Sequence, residues 1–431
     1  MKKIIITLVV VLAVMLGIAP NFIGQQAESK FKELYAQMAD TPGLSFEVLD
    51  YQRTWFDSTA SVKLNVNLAD FDPTMDDVLT FTINSTMKHG PILTEVGGLG
   101  LGLMDIDSEV EFPAFMTDQF PDLNDRFNEL LSLQSRLTLG GDTHSISELK
   151  EFNFSEEGVN ISVNPARFVS TASTDGEVTL EGSWDGLSIS DGGTFGITLG
   201  EIEMDLDMES MDGNLYDPTA IFLGEGSLGM AEMRITGQEI PGVVELKGIM
   251  ISSESDAKDD MLFGNVDMGI AELNAMGMNF TDIVMNQSFS NLDVESLKKI
   301  NELNYKMTDQ NMDMVMNQMG EIGLAMLDKK PVYSIRELGM TTAQGKMSSE
   351  MTFTVDENLI DVNNLMTIAQ AMEIDGSGYV PEAFLNSMGV GPMVQGYIDA
   401  GFVKRDGDNL TFELQMKSGQ VTLSGQPLPM F

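Results

Sequence analysis

Apolar and polar residues alternate strictly along much of the chain. Val62, Leu64, Val66 and Leu68 fall on one face of an extended segment, as do Phe81, Ile83 and Met87, and then Val178, Leu180 and Trp184. The same period recurs in Phe195-Ile197-Leu199, Ile202-Met204-Leu206-Met208, Val244-Leu246-Met250, Met351-Phe353-Val355 and Leu410-Phe412-Leu414-Met416. A period of two predicts half-buried strands, not helices. Asp185-Gly186, Asp191-Gly192-Gly193, Asp212-Gly213, Asp406-Gly407 and Ser418-Gly419 punctuate the runs as turns. Many strands joined by short turns imply an antiparallel sheet with one apolar face.

Three-to-four spacing is rarer. Phe31, Leu34, Tyr35 and Met38 stripe a short helix, and residues from about Phe115 to Leu133 are compatible with another. The clearest helical stretch runs from about Val294 to Leu327, with Met312, Val315, Met316, Met319, Ile322 and Met326 on one stripe. A last helix, from about Pro392 to Ala400, stops at Gly401, and a hairpin closes the chain. Ser227-Leu228-Gly229-Met230-Ala231-Glu232-Met233 recurs loosely at Val266-Asp267-Met268-Gly269-Ile270-Ala271-Glu272-Leu273, which fits a sheet grown by adding hairpins. The predicted fold class is mainly β (α+β): an extended, curved antiparallel sheet with a few packing helices, preceded by one transmembrane helix.

The amino terminus changes the picture. Met1-Lys2-Lys3 precedes Ile4 to Ile18 without a charge, and Phe22-Ile23 resume the apolar run. Residues 4–23, 20 in number, would span about 30 Å as a helix, enough to cross a bilayer. A cut after Ala19 would face Pro20, and a cut after Ala27 would place Gln25 at the −3 position, so a retained anchor is expected over a cleaved signal peptide. Lys2 and Lys3 then keep the amino end in the cytoplasm and export the rest, into the periplasm in a Gram-negative cell. The expected division is an anchor over residues 1–24 and a β-rich domain over residues 25–431, with a subdivision near 290–330.

Composition narrows the chemistry. No cysteine is present among 431 residues, which removes disulfides, thiolate metal sites and cysteine nucleophiles. The net charge of −42 repels nucleic acid and anionic lipid headgroups and serves solubility.

Several motifs line up in order. Tyr51-Gln52-Arg53-Thr54-Trp55-Phe56-Asp57-Ser58 precedes the first clear strand, and Lys88-His89-Gly90-Pro91 follows the second. Leu327-Asp328-Lys329-Lys330-Pro331-Val332-Tyr333-Ser334-Ile335 comes after the long helical stretch, and Gly419-Gln420-Val421-Thr422-Leu423-Ser424-Gly425-Gln426 lies near the end. With the amino-terminal segment, this order resembles the YdgA-like proteins of Gram-negative bacteria, a family of unknown function, over essentially the whole chain. The resemblance implies a periplasmic protein attached to the inner membrane and capable of self-association. It marks Arg53, Phe56, Ser58, His89, Gly90, Pro91, Pro331 and Gly425 as motif positions, read as structural. Thr54 stands where the family usually has glycine after the arginine, and Ser424 where asparagine is common.

Candidate chemistry is sparse. His89 and His144 are the two histidines; His89 reads as a turn histidine ahead of a general base, and Arg53 as the partner of an acidic neighbour ahead of an anion ligand. Gly97-Gly98-Leu99-Gly100-Leu101-Gly102 lacks the spacing and lysine of a phosphate loop. Asp205, Asp207 and Glu209 alternate like calcium ligands, but Ser210 holds the position that needs glycine, so they read as the wet face of a strand. No catalytic, cofactor or metal site is expected. The 33 methionines are the compositional oddity. Met204, Met208, Met230, Met233, Met250, Met268 and Met285 occupy inward strand positions, where they either fill a core or line an apolar groove for lipid tails. The expected function is that of a membrane-anchored, non-enzymatic envelope protein acting through self-association, as a homodimer, or through partners. The alternative is a lipid- or amphiphile-binding protein with a methionine-rich β groove; a hydrolase has the least support.

Overall fold

The computed structural model describes residues 19–38, 44–68, 78–119, 121–156, 158–193, 195–213, 215, 217, 219–237, 242–305, 312–360 and 366–428. They form two compact units, one from Met1–Asn153, Ser162–Asp185 and Asp205–Ala220, the other from Phe154–Ile161, Gly186–Met204 and Ile221–Phe431. The chain is mainly β, and every strand pair with a defined register is antiparallel, as the alternation requires. The helical stretch near 290–330 lies inside the second unit.

In the first unit, β1 (Leu44–Arg53), β2 (Asp57–Asn67), β3 (Val78–His89), β4 (Met104–Glu111), β5 (Leu131–Leu137) and β6 (Thr143–Leu149) pair in succession. Next in the chain are β7 (Phe152–Glu156) and β8 (Val159–Val163), and the row resumes with β9 (Ala166–Ala172) on β6 and β10 (Glu177–Trp184) on β9. Helix α1 (Ala19–Met38) packs on this sheet. Ile23, Ala27, Phe31 and Tyr35 recur every four residues, which puts them on one face. That face meets Ala60, Val62, Met87, Met104 and Leu137 in the unit's core.

Helix α1 takes in both the end of the predicted apolar span and the short striped helix predicted after it. The predicted transmembrane helix lies, up to residue 18, outside the described residues; among those described, no helix is long and apolar enough to cross a membrane. The helix predicted over 115–133 is two short ones, α2 (Ala114–Gln119) and α3 (Leu123–Leu130), followed directly by β5. Leu131 and Leu133 are claimed by cross-strand pairing with β4 and β6, which overrides the local helical spacing.

The second unit is a longer succession. It takes in β11 (Leu187–Ser190), β12 (Phe195–Leu199) and the start of β13 (Ile202–Ser210), whose residues from Asp205 on belong to the first unit, and resumes with β14 (Phe222–Gly237), β15 (Val243–Lys258), β16 (Met261–Ala275) and β17 (Met278–Asp293). Two helices, α4 (Val294–Tyr305) and α5 (Met312–Leu327), stand where one long helix was predicted. The sheet continues with β18 (Val332–Thr342) and β19 (Gly345–Val355), and α6 (Met366–Ala371) precedes β20 (Met372–Pro381). Helices α7 (Glu382–Ser387) and α8 (Gly391–Asp399) follow, and Gly401 ends the last in the left-handed conformation, φ 79°, as its position predicts. The predicted closing hairpin is a larger meander: β21 (Lys404–Asp406), β22 (Asn409–Lys417), β23 (Gln420–Leu423) and β24 (Gln426–Pro427).

The turns between these long strands are tight because both central residues take positive φ. Asp259-Asp260 (54° and 61°), Met276-Gly277 (53° and 77°), Ser418-Gly419 (50° and 75°) and Ser424-Gly425 (50° and 83°) all do so. This is the turn whose twist matches that of the flanking strands. The weak internal repeat also has a structural meaning. Its copies lie in β14 and β16, and the register through β15 sets Leu228 in line with Met268, Met230 with Ile270, and Met233 with Leu273.

Candidate functional site

The motif residues near the amino terminus converge. Strand β1 delivers Tyr51 and Arg53, β2 delivers Ser58, β3 ends at His89, and α1 contributes Gly24 and Glu28. The β1–β2 register sets Arg53 opposite Ser58, and the turn between the strands is closed by Thr54, whose hydroxyl donates to the Asp57 carbonyl at 3.1 Å. The Phe56 carbonyl accepts from the His89 backbone amide at 2.7 Å, and the Gly90 amide donates to Leu103. Pro91 then starts the next loop. The His-Gly-Pro motif is thus the stitch that ties the end of β3 to the β1–β2 turn.

Within this cluster Ser58 Oγ lies 2.8 Å from His89 Nε2, and both residues are buried. Arg53 Nε donates to Glu28 Oε2 at 3.2 Å, which links β1 to α1. Tyr51 stacks at a tilt on Phe31, with ring centroids 5.5 Å apart. A Cβ placed on Gly24 would stand 2.4 Å from His89 Nδ1, so only glycine lets α1 lie this close to the imidazole. A buried serine against a histidine is half of a nucleophile–base pair. Here Ser58 is only 2 % exposed and the second ring nitrogen faces Gly24, with no hydrogen-bond partner among the described residues. The arrangement fastens helix to sheet.

Burial holds the His89 imidazole below its ordinary pKa; Asp57 and Glu28 pull it up and Arg53 pushes it down. A base with a depressed folded pKa binds fewer protons folded than unfolded. Its contribution to stability is therefore complete above the unfolded value of about 6.5 and is lost as pH falls from there through the folded value. Denaturant midpoints read by tryptophan fluorescence should drop between about pH 7.5 and about pH 5.5. Trp55 and Trp184 both belong to the first unit, so this signal reports on it. The drop should be smaller in His89→Gln; an equal drop in both proteins would remove His89 as its source.

The glycine run from Gly97 to Gly102 surrounds an ion pair. Arg136 donates to Asp105 Oδ1 and Oδ2 at 2.7 and 2.9 Å and to the Gly98 carbonyl at 3.0 Å. Asp105 Oδ2 also accepts from the amides of Glu95 and Val96, at 3.0 and 3.3 Å. A Cβ on Gly100 would meet Arg136 Nη1 at 2.0 Å, so glycine at that position admits the guanidinium. Asp105 and Arg136 carry no signal in the sequence, because carboxylates are too frequent in this chain for one to stand out. His144, on β6, bonds Thr171 across the sheet at 3.3 Å and is not part of the His89 cluster. Asp205, Asp207 and Glu209 are exposed and alternate with half-buried Met204, Leu206 and Met208. Among the described residues no group of acidic or histidine side chains could hold a metal.

A cleft of about 460 Å³ opens beside α1 in the first unit. Phe31 and Tyr35 of the helix face Met104, Ile106 and Leu137 across it, with Ser108, Ser135 and Thr143 as polar points. It depends on where α1 lies and has no signature in the sequence.

The methionines separate. In the second unit Leu228, Ile251, Met268, Met285 and Leu338 pair across five strands as one apolar row. Met230, Ile249, Ile270 and Ile283 form the next row on the same face. Met233, Leu246, Leu273 and Phe280 form a third, beyond Gly248, where the strand takes φ 59°. Met250 falls between Ile249 and Ile251 and so points to the opposite face, lying between Gly229 and Gly269 at 51 % exposure. It does not line the surface that Met230, Met268 and Met285 share. That surface is half-exposed; Met268 stands 38 % open. Pro331 lies just before β18 and Gly425, at φ 83°, in the β23–β24 turn, both in the second unit.

Motif positions therefore occur from the amino-terminal cluster to the last hairpin, and a single family pattern matches residues 1–431. The chain belongs to the bacterial proteins of unknown function designated DUF945. No curated protein and no solved structure matches this DUF945 chain.

Proposed function

We propose that this DUF945 protein is a membrane-tethered, non-enzymatic envelope protein that binds an acyl-chain amphiphile on the apolar face of β14–β18. The observation that carries this reading is the ladder of apolar rows, half-exposed across five long strands. A globular sheet buries such a face; leaving it open costs roughly 25 cal/mol per Å² of apolar area, which an occupant would recover. Met230, Met268 and Met285 favour a flexible ligand, because methionine side chains adapt to variable apolar shapes. The uncharged run from Ile4 to Ile18 behind Lys2 and Lys3 supports the tether and an exported body, as does the resemblance to YdgA-like proteins.

The test is native mass spectrometry of full-length protein extracted from membranes. Stoichiometric lipid is expected, and Met268→Asp should weaken its retention about tenfold, since a carboxylate would face the acyl chain. A clean dimer without lipid would replace this reading with self-association through the same face.

A further inference from the structure

One end of the first unit's sheet gathers apolar side chains that face water. The registers Asp57↔Lys88, His89↔Met104 and Met104↔Leu137 bring the β1–β2 turn, the β3–β4 loop and the β5–β6 turn to that end. From them project Trp55, Phe56, Ile92, Leu99, Leu101 and Leu139, all exposed, with Leu99 at 81 % and Leu101 at 65 %. The β3–β4 loop is a built structure. Leu93, Val96 and Leu103 are buried beneath it, Leu93 and Gly100 bridge it, and Arg136 holds its Gly98 carbonyl. Leu99 and Leu101 are thus presented outward by an ordered loop.

Two further observations say what this tip meets. Helix α1 runs along the sheet with Tyr35 against Phe46, Phe31 against Tyr51, Glu28 on Arg53 and Gly24 against His89, so its amino-terminal end is at the tip. The uncharged Ile4–Ile18 segment therefore joins the folded body at the same end as the six apolar side chains. The tip is also nearly free of charge in a chain carrying −42. Its connecting segments, 54–56, 90–103 and 138–142, hold two carboxylates: Glu95, ion-paired with Lys88, and Asp142, which accepts from the Thr174 amide at 3.0 Å. An anionic bilayer would repel the rest of the surface and tolerate this part. Tryptophan beside aliphatic residues is the composition of an interfacial contact.

We infer that this tip lies in the headgroup–acyl boundary of the membrane from which the chain emerges, a second contact that fixes how the body stands on the bilayer. The inference rests on the tether proposed above, and the experiment separates the two. The chain has no cysteine, so single-cysteine variants can be labelled with an environment-sensitive fluorophore at Leu99, at Leu12 in the apolar segment, and at Asp125 on α3, at the other end of the sheet. The full-length protein is reconstituted into phosphatidylethanolamine–phosphatidylglycerol vesicles containing acyl-brominated lipid. Probes at Leu12 and Leu99 should be quenched severalfold more than the probe at Asp125. Quenching at Leu12 with none at Leu99 overturns the inference and leaves the tether; quenching at neither overturns both. In a Trp184→Phe background, quenching of Trp55 should fall severalfold when Leu99→Asp and Leu101→Asp are combined. Both positions are open to water, so the fold tolerates the change. Undiminished quenching of Trp55 would also count against the tip.

Discussion

Asp105→Ala should cost the first unit about 3–5 kcal/mol, one of the two largest losses expected from a single substitution in this protein. The Asp105 side chain is 1 % exposed, and it satisfies Arg136 together with the amides of Glu95 and Val96. Removing it strands a buried guanidinium and two backbone donors at once. The loss far exceeds what the pair contributes over an apolar substitute, because burying two charges is itself costly. Replacing both partners, as Asp105→Leu with Arg136→Met, should therefore recover the part of the loss due to the stranded guanidinium, while the Glu95 and Val96 amides stay unpaired. Denaturant unfolding followed by tryptophan fluorescence measures both. A loss below about 1 kcal/mol for Asp105→Ala would show that the loop is held by its leucines, not by the ion pair.

Phe31→Ala should detach α1 from the sheet, at a cost of about 3–5 kcal/mol. Phe31 is 2 % exposed, contacts the rings of Tyr35 and Tyr51 at 4.8 and 5.5 Å, and forms one wall of the cleft beside the helix. Truncation would lose the ring's burial and enlarge a space that already exists, so little of the loss could be offset by collapse. Undocking would expose the α1 backbone at Lys30 and Lys32. Trypsin should cut there much faster in Phe31→Ala than in the parent, with Phe31→Leu between them. Equal cleavage rates would mean that the Arg53–Glu28 and Gly24–His89 contacts hold the helix without the ring.

The strands were largely legible because alternation is a local property that burial of one sheet face imposes. The runs through Val62, Phe81, Leu180 and Met204 all lie in strands, and Gly186, Gly192, Gly213, Gly407 and Gly419, at the predicted turns, all take positive φ. Helix extents were less legible: the 115–133 stretch yields to strand pairing at Leu131, which no window of sequence can weigh. The motif residues were found without their partners. His89 stood out by rarity and Ser58 by motif, but Gly24, 65 positions before His89, carried no local signal of contact. Asp105 and Arg136 were hidden for the same reason among 66 acidic and 24 basic residues.

Residue order alone determined that this is a cysteine-free, acidic, mainly β protein of antiparallel strands, because hydrophobic period and turn chemistry act over a few residues. Tertiary structure alone decided that Gly24 admits His89, that Met250 leaves the face shared by Met268 and Met285, and that six apolar side chains share one end with the start of α1. Those facts depend on register and on where a helix crosses a sheet. Both are set by the packing of segments distant in the chain, which no stretch of sequence encodes by itself.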